Sequence, residues 1–108
     1  MKPILPFPKV EKIGRYKFRL LEDFTVDGVT VPKGFVSDGA SVPRLFWAFF
    51  NPAGELFEAS LVHDFLYENA IGTKKQADRR FLKIARLYGA KRAKIAYWAV
   101  RIGGKGNY

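Results

Sequence analysis

The chain has 108 residues, a length that suits one domain and leaves little room for a second. Hydrophobic residues make up 48% of it, which is enough for a folded core, and the absence of cysteine excludes disulfide bonds and thiolate metal sites. No run reaches the roughly 18 apolar residues that a membrane-spanning helix needs, and we find no signal peptide in residues 1–10.

The net charge of +9 is concentrated in the last third of the chain. Residues 1–71 contain 8 basic and 9 acidic residues, whereas residues 72–108 contain 11 basic residues and one acidic residue. This asymmetry predicts an anionic partner, which is either an anionic membrane surface or a nucleic acid. The alternative is a solvated helix face that only aids solubility.

The first third of the chain is predicted to be extended. Residues 1–13 are rich in proline and predict an extended N-terminal segment, and β-like sequence follows within residues 14–36. Asp27-Gly28 lies between two valines and favours the positive φ angles of a type I′ turn. The sequence therefore predicts a β-hairpin in this region.

The remainder, residues 43–103, is predicted to be helical. A short, strongly apolar helix is expected over residues 43–50, and longer helices are expected over about residues 55–70, 74–88 and 91–102. Thr73 and Gln76 have the spacing of a capping box at the start of the second long helix. We therefore predict a single α+β domain over residues 1–108, in which an N-terminal β-hairpin packs on a bundle of three to four helices.

Four side chains in the two central helices are the strongest candidates for chemistry. His63 and Tyr67 are four residues apart, so they share one helix face, and Asp64 is next to His63. Asp78 is the only acidic residue after residue 71, and it leans toward the core side of the following helix. Because the link between the helices is short, we expect them to be antiparallel neighbours, with Asp78 able to reach back to His63 and Tyr67.

These residue types suit a general base built on a His-Asp dyad. Histidine titrates near neutral pH, and a carboxylate bonded to its second ring nitrogen fixes the tautomer and the orientation of the ring. Asp64 can hold Ca²⁺ if backbone carbonyls supply further ligands, and Tyr67 can hold Asp78 in place. The alternative is structural: His63 and Tyr67 are buried with ordinary partners, and both aspartates form ion pairs with nearby Arg or Lys.

Longer stretches of the chain resemble a phage and prophage family that is known only as a domain of unknown function. The likeness extends from about residue 15 to residue 103 and is carried by GFVSDGASVPR at 34–44, Trp47, VHDFLY at 62–67 and ADRRF at 77–81. It implies a phage protein that is made in the host cytoplasm and is either associated with the virion or released at lysis.

A second, local resemblance suggests an activity. The HDxxY motif, followed by an aspartate at the start of the next helix, is similar to the catalytic helices of phospholipase A2, with the parvovirus capsid form and the cysteine-poor bacterial forms closest. The likeness covers about residues 59–82. It implies that His63 activates water, that Asp64 binds Ca²⁺, and that Tyr67 and Asp78 support His63.

The glycine-rich calcium loop of that family has no direct counterpart in this sequence. The candidate is the loop at residues 37–41, in which Asp38 and Gly39 would supply a carboxylate and carbonyl oxygens to the metal. The expected metal ligands are therefore Asp64, Asp38 and Gly39.

Three functions remain open from the sequence. The first is a Ca²⁺-dependent, phospholipase A2-like carboxylic ester hydrolase that acts on membranes. The second is a non-catalytic virion or tail accessory component of a larger phage assembly, and the third is a protein that binds nucleic acid or a host factor. The third is less favoured because no nucleic-acid reading motif is found. The residues expected to contact an anionic surface are Lys74, Lys75, Arg79, Arg80, Lys83 and Arg86.

Overall fold

The structure is a computed structural model that describes residues 5–15, 17–37 and 56–103. Short strands precede three helices in this part of the chain, which confirms the predicted α+β class. The helix predicted at residues 43–50 lies outside the described residues. The strands are β1 (Val10–Gly14), β2 (Lys17–Leu20), β3 (Phe24–Val26), β4 (Val29–Val31) and β5 (Val36–Ser37). The helices are α1 (Phe57–Glu68), α2 (Lys74–Leu87) and α3 (Ala93–Gly103).

The strands form two small antiparallel sheets. The predicted hairpin is the pair β3–β4, and its connecting residues Asp27 and Gly28 have φ angles of 50° and 76°, as a type I′ turn requires. The second sheet has the order β1-β2-β5 and was not predicted. It includes Val10 and the residues after it, so part of the predicted extended segment is paired with β2.

The helices lie near their predicted limits. Asn69 caps the end of α1, and Ala70 follows with a φ of 49°. The predicted capping box opens α2: the Thr73 hydroxyl accepts from the backbone N–H of Gln76, and the Gln76 side chain accepts from the backbone N–H of Thr73. Gly89, with a φ of 78°, ends the turn that follows α2.

Helix α1 is the central element of the core. It packs against α2 and against β4 and β5, while α2 packs against α3. Ten of its 12 residues are buried, and four of these ten are polar: Glu58, Ser60, His63 and Asp64. Because a buried polar group is costly without a hydrogen bond, these side chains need partners inside the fold.

Two ion pairs join the β3–β4 hairpin to α2. The guanidinium of Arg80 donates to the backbone carbonyl of Asp27 and, at 2.8 Å, to its carboxylate. The ammonium of Lys83 lies 2.8 Å from the other carboxylate oxygen of Asp27. The turn residue is therefore held against the basic face of α2.

Candidate active site

Asp78 is a buried carboxylate that accepts hydrogen bonds from four side chains. Its Oδ1 accepts from the His63 Nε2, at 2.7 Å, and from the Tyr67 hydroxyl. Its Oδ2 accepts from the Lys74 ammonium at 3.0 Å and from the Arg101 guanidinium at 2.9 Å. The predicted approach of Asp78 to His63 and Tyr67 is thus present in the structure.

Local structure explains how these groups meet. His63 and Tyr67 are one helical turn apart on α1, so both side chains reach the same side of the helix. The capping box at Thr73 fixes where α2 begins, and Asp78 follows just over one turn later. The short link between the helices then places Asp78 opposite the His63–Tyr67 face.

Asp78 is ionised. Burial by itself raises the pKa of this carboxyl, but the hydrogen bonds from His63, Tyr67, Lys74 and Arg101 outweigh it and hold the pKa well below its usual range. An ionised carboxylate can only accept hydrogen bonds. The ring nitrogen of His63 that contacts Asp78 must therefore be a donor.

The surroundings of His63 favour a neutral ring with its proton on Nε2. Burial lowers the pKa of the imidazole below its usual 6.5, against the raising effects of Asp78 and Asp64. With Nε2–H donating to Asp78, the ring lone pair lies on Nδ1. The ring orientation is further fixed by contacts with the rings of Tyr67 and Phe81, whose centroids are 4.0 and 5.2 Å away. This is the protonation state that a general base requires.

The carboxylate of Asp64 lies beside this dyad and contacts the start of the predicted calcium loop. Its Oδ2 accepts a 2.8 Å hydrogen bond from the hydroxyl of Ser37, the last residue of β5. Asp38 and Gly39 lie outside the described residues. Within residues 5–15, 17–37 and 56–103, no three His, Asp or Glu side chains group as a metal site. The calcium ligand set therefore stays a prediction.

Lys74 and Arg101 belong to the site, although the sequence did not assign them to it. Lys74 was predicted to contact an anionic surface, and its ammonium donates to Asp78 and to the carbonyls of Val100 and Arg101, in the last turn of α3. Its spacing of four residues from Asp78 was the available signal. Arg101 is 23 residues from Asp78 along the chain, and no local pattern indicates that contact.

The other predicted surface cations divide into two groups. Arg80 and Lys83 pair with Asp27. Lys75, Arg79 and Arg86 are exposed on α2. No helix in the described part of the chain is long and apolar enough to cross a membrane.

Comparison with known proteins places the chain in a family without assigning an activity. It is 35% identical over 92 residues to "Uncharacterized protein y4jT" of Sinorhizobium fredii (strain NBRC 101917 / NGR234). That match covers 77% of this chain but only 27% of the length of the relative. No solved structure gives a significant match. The pattern of a family described as "Protein of unknown function (DUF1353)" matches residues 16–100, so the protein belongs to the DUF1353 family.

Proposed function

We propose that the protein is a Ca²⁺-dependent, phospholipase A2-like hydrolase that cleaves carboxylic esters of membrane phospholipids. The observation that carries the proposal is the 2.7 Å hydrogen bond between the His63 Nε2 and Asp78, with the Tyr67 hydroxyl on the same carboxylate oxygen. Asp64, next to His63 in the chain, supplies a carboxylate at the same site. A phage or prophage origin is proposed from the sequence pattern alone.

In this proposal, His63 acts as the general base. Nδ1 takes a proton from a water molecule, whose oxygen attacks the ester carbonyl. The resulting imidazolium is stabilised by Asp78, and it then returns the proton to the departing alcohol, so the products are a fatty acid and a lysophospholipid. Tyr67 keeps the Asp78 oxygen directed at Nε2 throughout.

Asp64 fits a calcium role in its chemistry and position. A carboxylate is a hard oxygen ligand of the kind that Ca²⁺ prefers. The Asp64 carboxylate accepts a hydrogen bond from Ser37, the first residue of the loop that contains Asp38 and Gly39 in the sequence. When bound there, Ca²⁺ would supply positive charge for the oxyanion that forms during attack.

A non-catalytic structural role is the second candidate, and two observations favour it. The side chains of His63 and Asp78 are both 0% exposed, so hydrolysis requires the packing over the imidazole to open. Lys74 and Arg101 already neutralise the second oxygen of Asp78, which reduces the stabilisation left for an imidazolium. In a virion component the same cluster would fix α1, α2 and α3 to one another.

The two candidates are separated by measuring fatty acid release from phosphatidylglycerol vesicles, with Ca²⁺ or with chelator. We expect wild type to release fatty acid only with Ca²⁺, and His63→Gln to lose that release. Gln can still donate to Asp78 but provides no ring base. The matched control is Ser60→Ala, a buried polar position on the same helix that lies outside the cluster, and it should keep activity. If folded wild type releases no fatty acid from several lipids, the hydrolase proposal is contradicted and the structural role is the candidate that remains.

A further inference from the structure

Helix α3 is apolar on two opposite faces. Ala93, Ala96 and Val100 are buried against the core. On the other side, the exposed side chains Ile95, Trp98 and Ile102 recur at the spacing of one helical stripe, and they are 63%, 60% and 86% exposed. A helix with apolar residues on both faces is normally covered on both, so this outer stripe indicates a partner.

The exposed charged side chains of α2 and α3 are all basic. From the start of α2 to the end of α3 the sole acidic residue is Asp78, and it is fully buried. No carboxylate therefore faces solvent from either helix. The exposed basic side chains of this region are Lys75, Arg79, Lys83, Arg86, Lys91, Arg92 and Lys94.

Exposed basic side chains adjoin the stripe in the chain: Lys91 and Arg92 directly precede α3, and Lys94 is next to Ile95 within it. Lys74 and Asp78 of α2 face α3, because they bind Val100, Arg101 or both. Lys75 and Arg79 follow them in sequence and lie about 100° further round the helix. Both side chains are exposed.

We propose that the outer stripe of α3, Ile95, Trp98 and Ile102, docks on an anionic lipid surface. The three apolar side chains enter the headgroup region, where tryptophan is favoured, and the flanking cations contact lipid phosphates. Two helices without an exposed carboxylate suit a surface of phosphates better than a protein surface of mixed charge. The inference rests on the proposed function for its choice of lipid, and it assigns the face that brings the enzyme to its substrate.

The test is co-sedimentation of the full chain with phosphatidylglycerol–phosphatidylcholine vesicles and with phosphatidylcholine vesicles alone. We expect wild type to bind the anionic vesicles, and the double variant Ile95→Gln/Ile102→Gln to bind them at least about tenfold more weakly. The matched control is Leu21→Gln/Ile71→Gln, which removes two exposed apolar side chains elsewhere and should bind as wild type does.

Equal binding by wild type and the α3 variant would overturn the inference, as would a wild-type dimer in sedimentation equilibrium that the α3 substitutions dissociate. Repeating the binding with His63→Gln separates this inference from the proposed function. If wild type binds vesicles through the stripe but hydrolyses no lipid, the hydrolase proposal alone is contradicted. Hydrolysis of a short-chain soluble ester by wild type, together with equal vesicle binding by wild type and the α3 variant, would contradict the docking face alone.

Discussion

Asp78 shows how a charged side chain is tolerated in the core of a small protein. Four donors replace the water that the carboxylate loses, and two of them, Lys74 and Arg101, carry a full positive charge. The donors lie on all three helices: His63 and Tyr67 on α1, Lys74 on α2 and Arg101 on α3. The carboxylate therefore joins α1, α2 and α3. Its hydrogen bonds therefore contribute to the stability of the fold and also set the protonation state of His63.

Removing one of these donors tests that contribution. Tyr67→Phe keeps the ring but deletes the hydroxyl that binds Asp78, and we expect it to lower the free energy of unfolding by roughly 1.5–3 kcal/mol, as for other hydrogen bonds to charged groups. Urea denaturation measures the change. Tyr97→Phe on α3 is the matched control and should cost less than about 0.5 kcal/mol. Equal effects of the two substitutions would contradict the account.

The low pKa of Asp78 also predicts how the free energy of unfolding depends on pH. Its pKa is lower in the folded protein than in the unfolded chain, so its contribution is fully present above the unfolded value of about 3.9. That contribution is lost as the pH falls below this value toward the folded pKa. Asp78→Asn should flatten the loss of stability below about pH 4, which urea denaturation at several pH values can show.

Glu58 has the opposite dependence. Burial raises its pKa from 4.5 to about 7, and its Oε2 has no hydrogen-bond partner among the described residues. A raised folded pKa gives stability that is present below pH 4.5 and is lost as the pH rises through 7.

Glu58→Gln should therefore be more stable than wild type at pH 8, by up to about 3 kcal/mol at 1.4 kcal/mol per pKa unit. At pH 4 the two proteins should differ little. Thermal unfolding at both pH values measures this, and a destabilised variant at pH 8 would show that burial does not raise the pKa of Glu58.

At the scale of elements, the sequence predicted those features that depend on residues close together in the chain. The Asp27-Gly28 turn and the Thr73–Gln76 capping box each depend on adjacent or nearby residues, and both are present. The meeting of His63 with Asp78 was also predictable, because it needs only helical spacing and a short link.

Contacts between distant segments were not predictable from such patterns. The pairing of β2 with β5, the hydrogen bond from Ser37 to Asp64 and the ion pair of Arg101 with Asp78 join residues that are 17 to 27 positions apart. A single sequence does not fix register or packing over such distances, since no local pattern specifies them. Arg101 was therefore missed, as were the contacts of Lys74 with the last turn of α3.

The junction between the hairpin and α2 can be tested at the same scale. Asp27→Asn keeps a residue that tolerates the positive φ of the turn, but it removes the charge that pairs with Arg80 and Lys83. We expect a loss of about 1 kcal/mol or less in the free energy of unfolding, and a smaller loss at high salt. An effect that does not change with salt would mean that the pairs are not electrostatic in origin.

At the scale of the molecule, α2 and α3 expose basic side chains without acidic ones, and α3 adds an exposed apolar stripe. The exposed stripe of α3 and the cations of α2 predict association that is both hydrophobic and electrostatic. We expect binding to anionic vesicles to weaken severalfold as NaCl rises from 0.05 to about 0.5 M, because the Debye length shortens over that range. The stripe should leave a residual, salt-resistant fraction, which co-sedimentation can measure. Complete loss of binding in high salt would instead indicate a purely electrostatic contact.

The account as a whole depends on the protonation state of one imidazole. His63 is the only histidine of the chain, so ¹⁵N-labelled histidine gives an unambiguous NMR signal from it. At pH 7 we predict a neutral ring with its proton on Nε2 and the lone pair on Nδ1, and we predict that this state persists below pH 6.5. A proton on Nδ1, or a charged ring at pH 7, would contradict the claim that Asp78 holds His63 ready to act as a base.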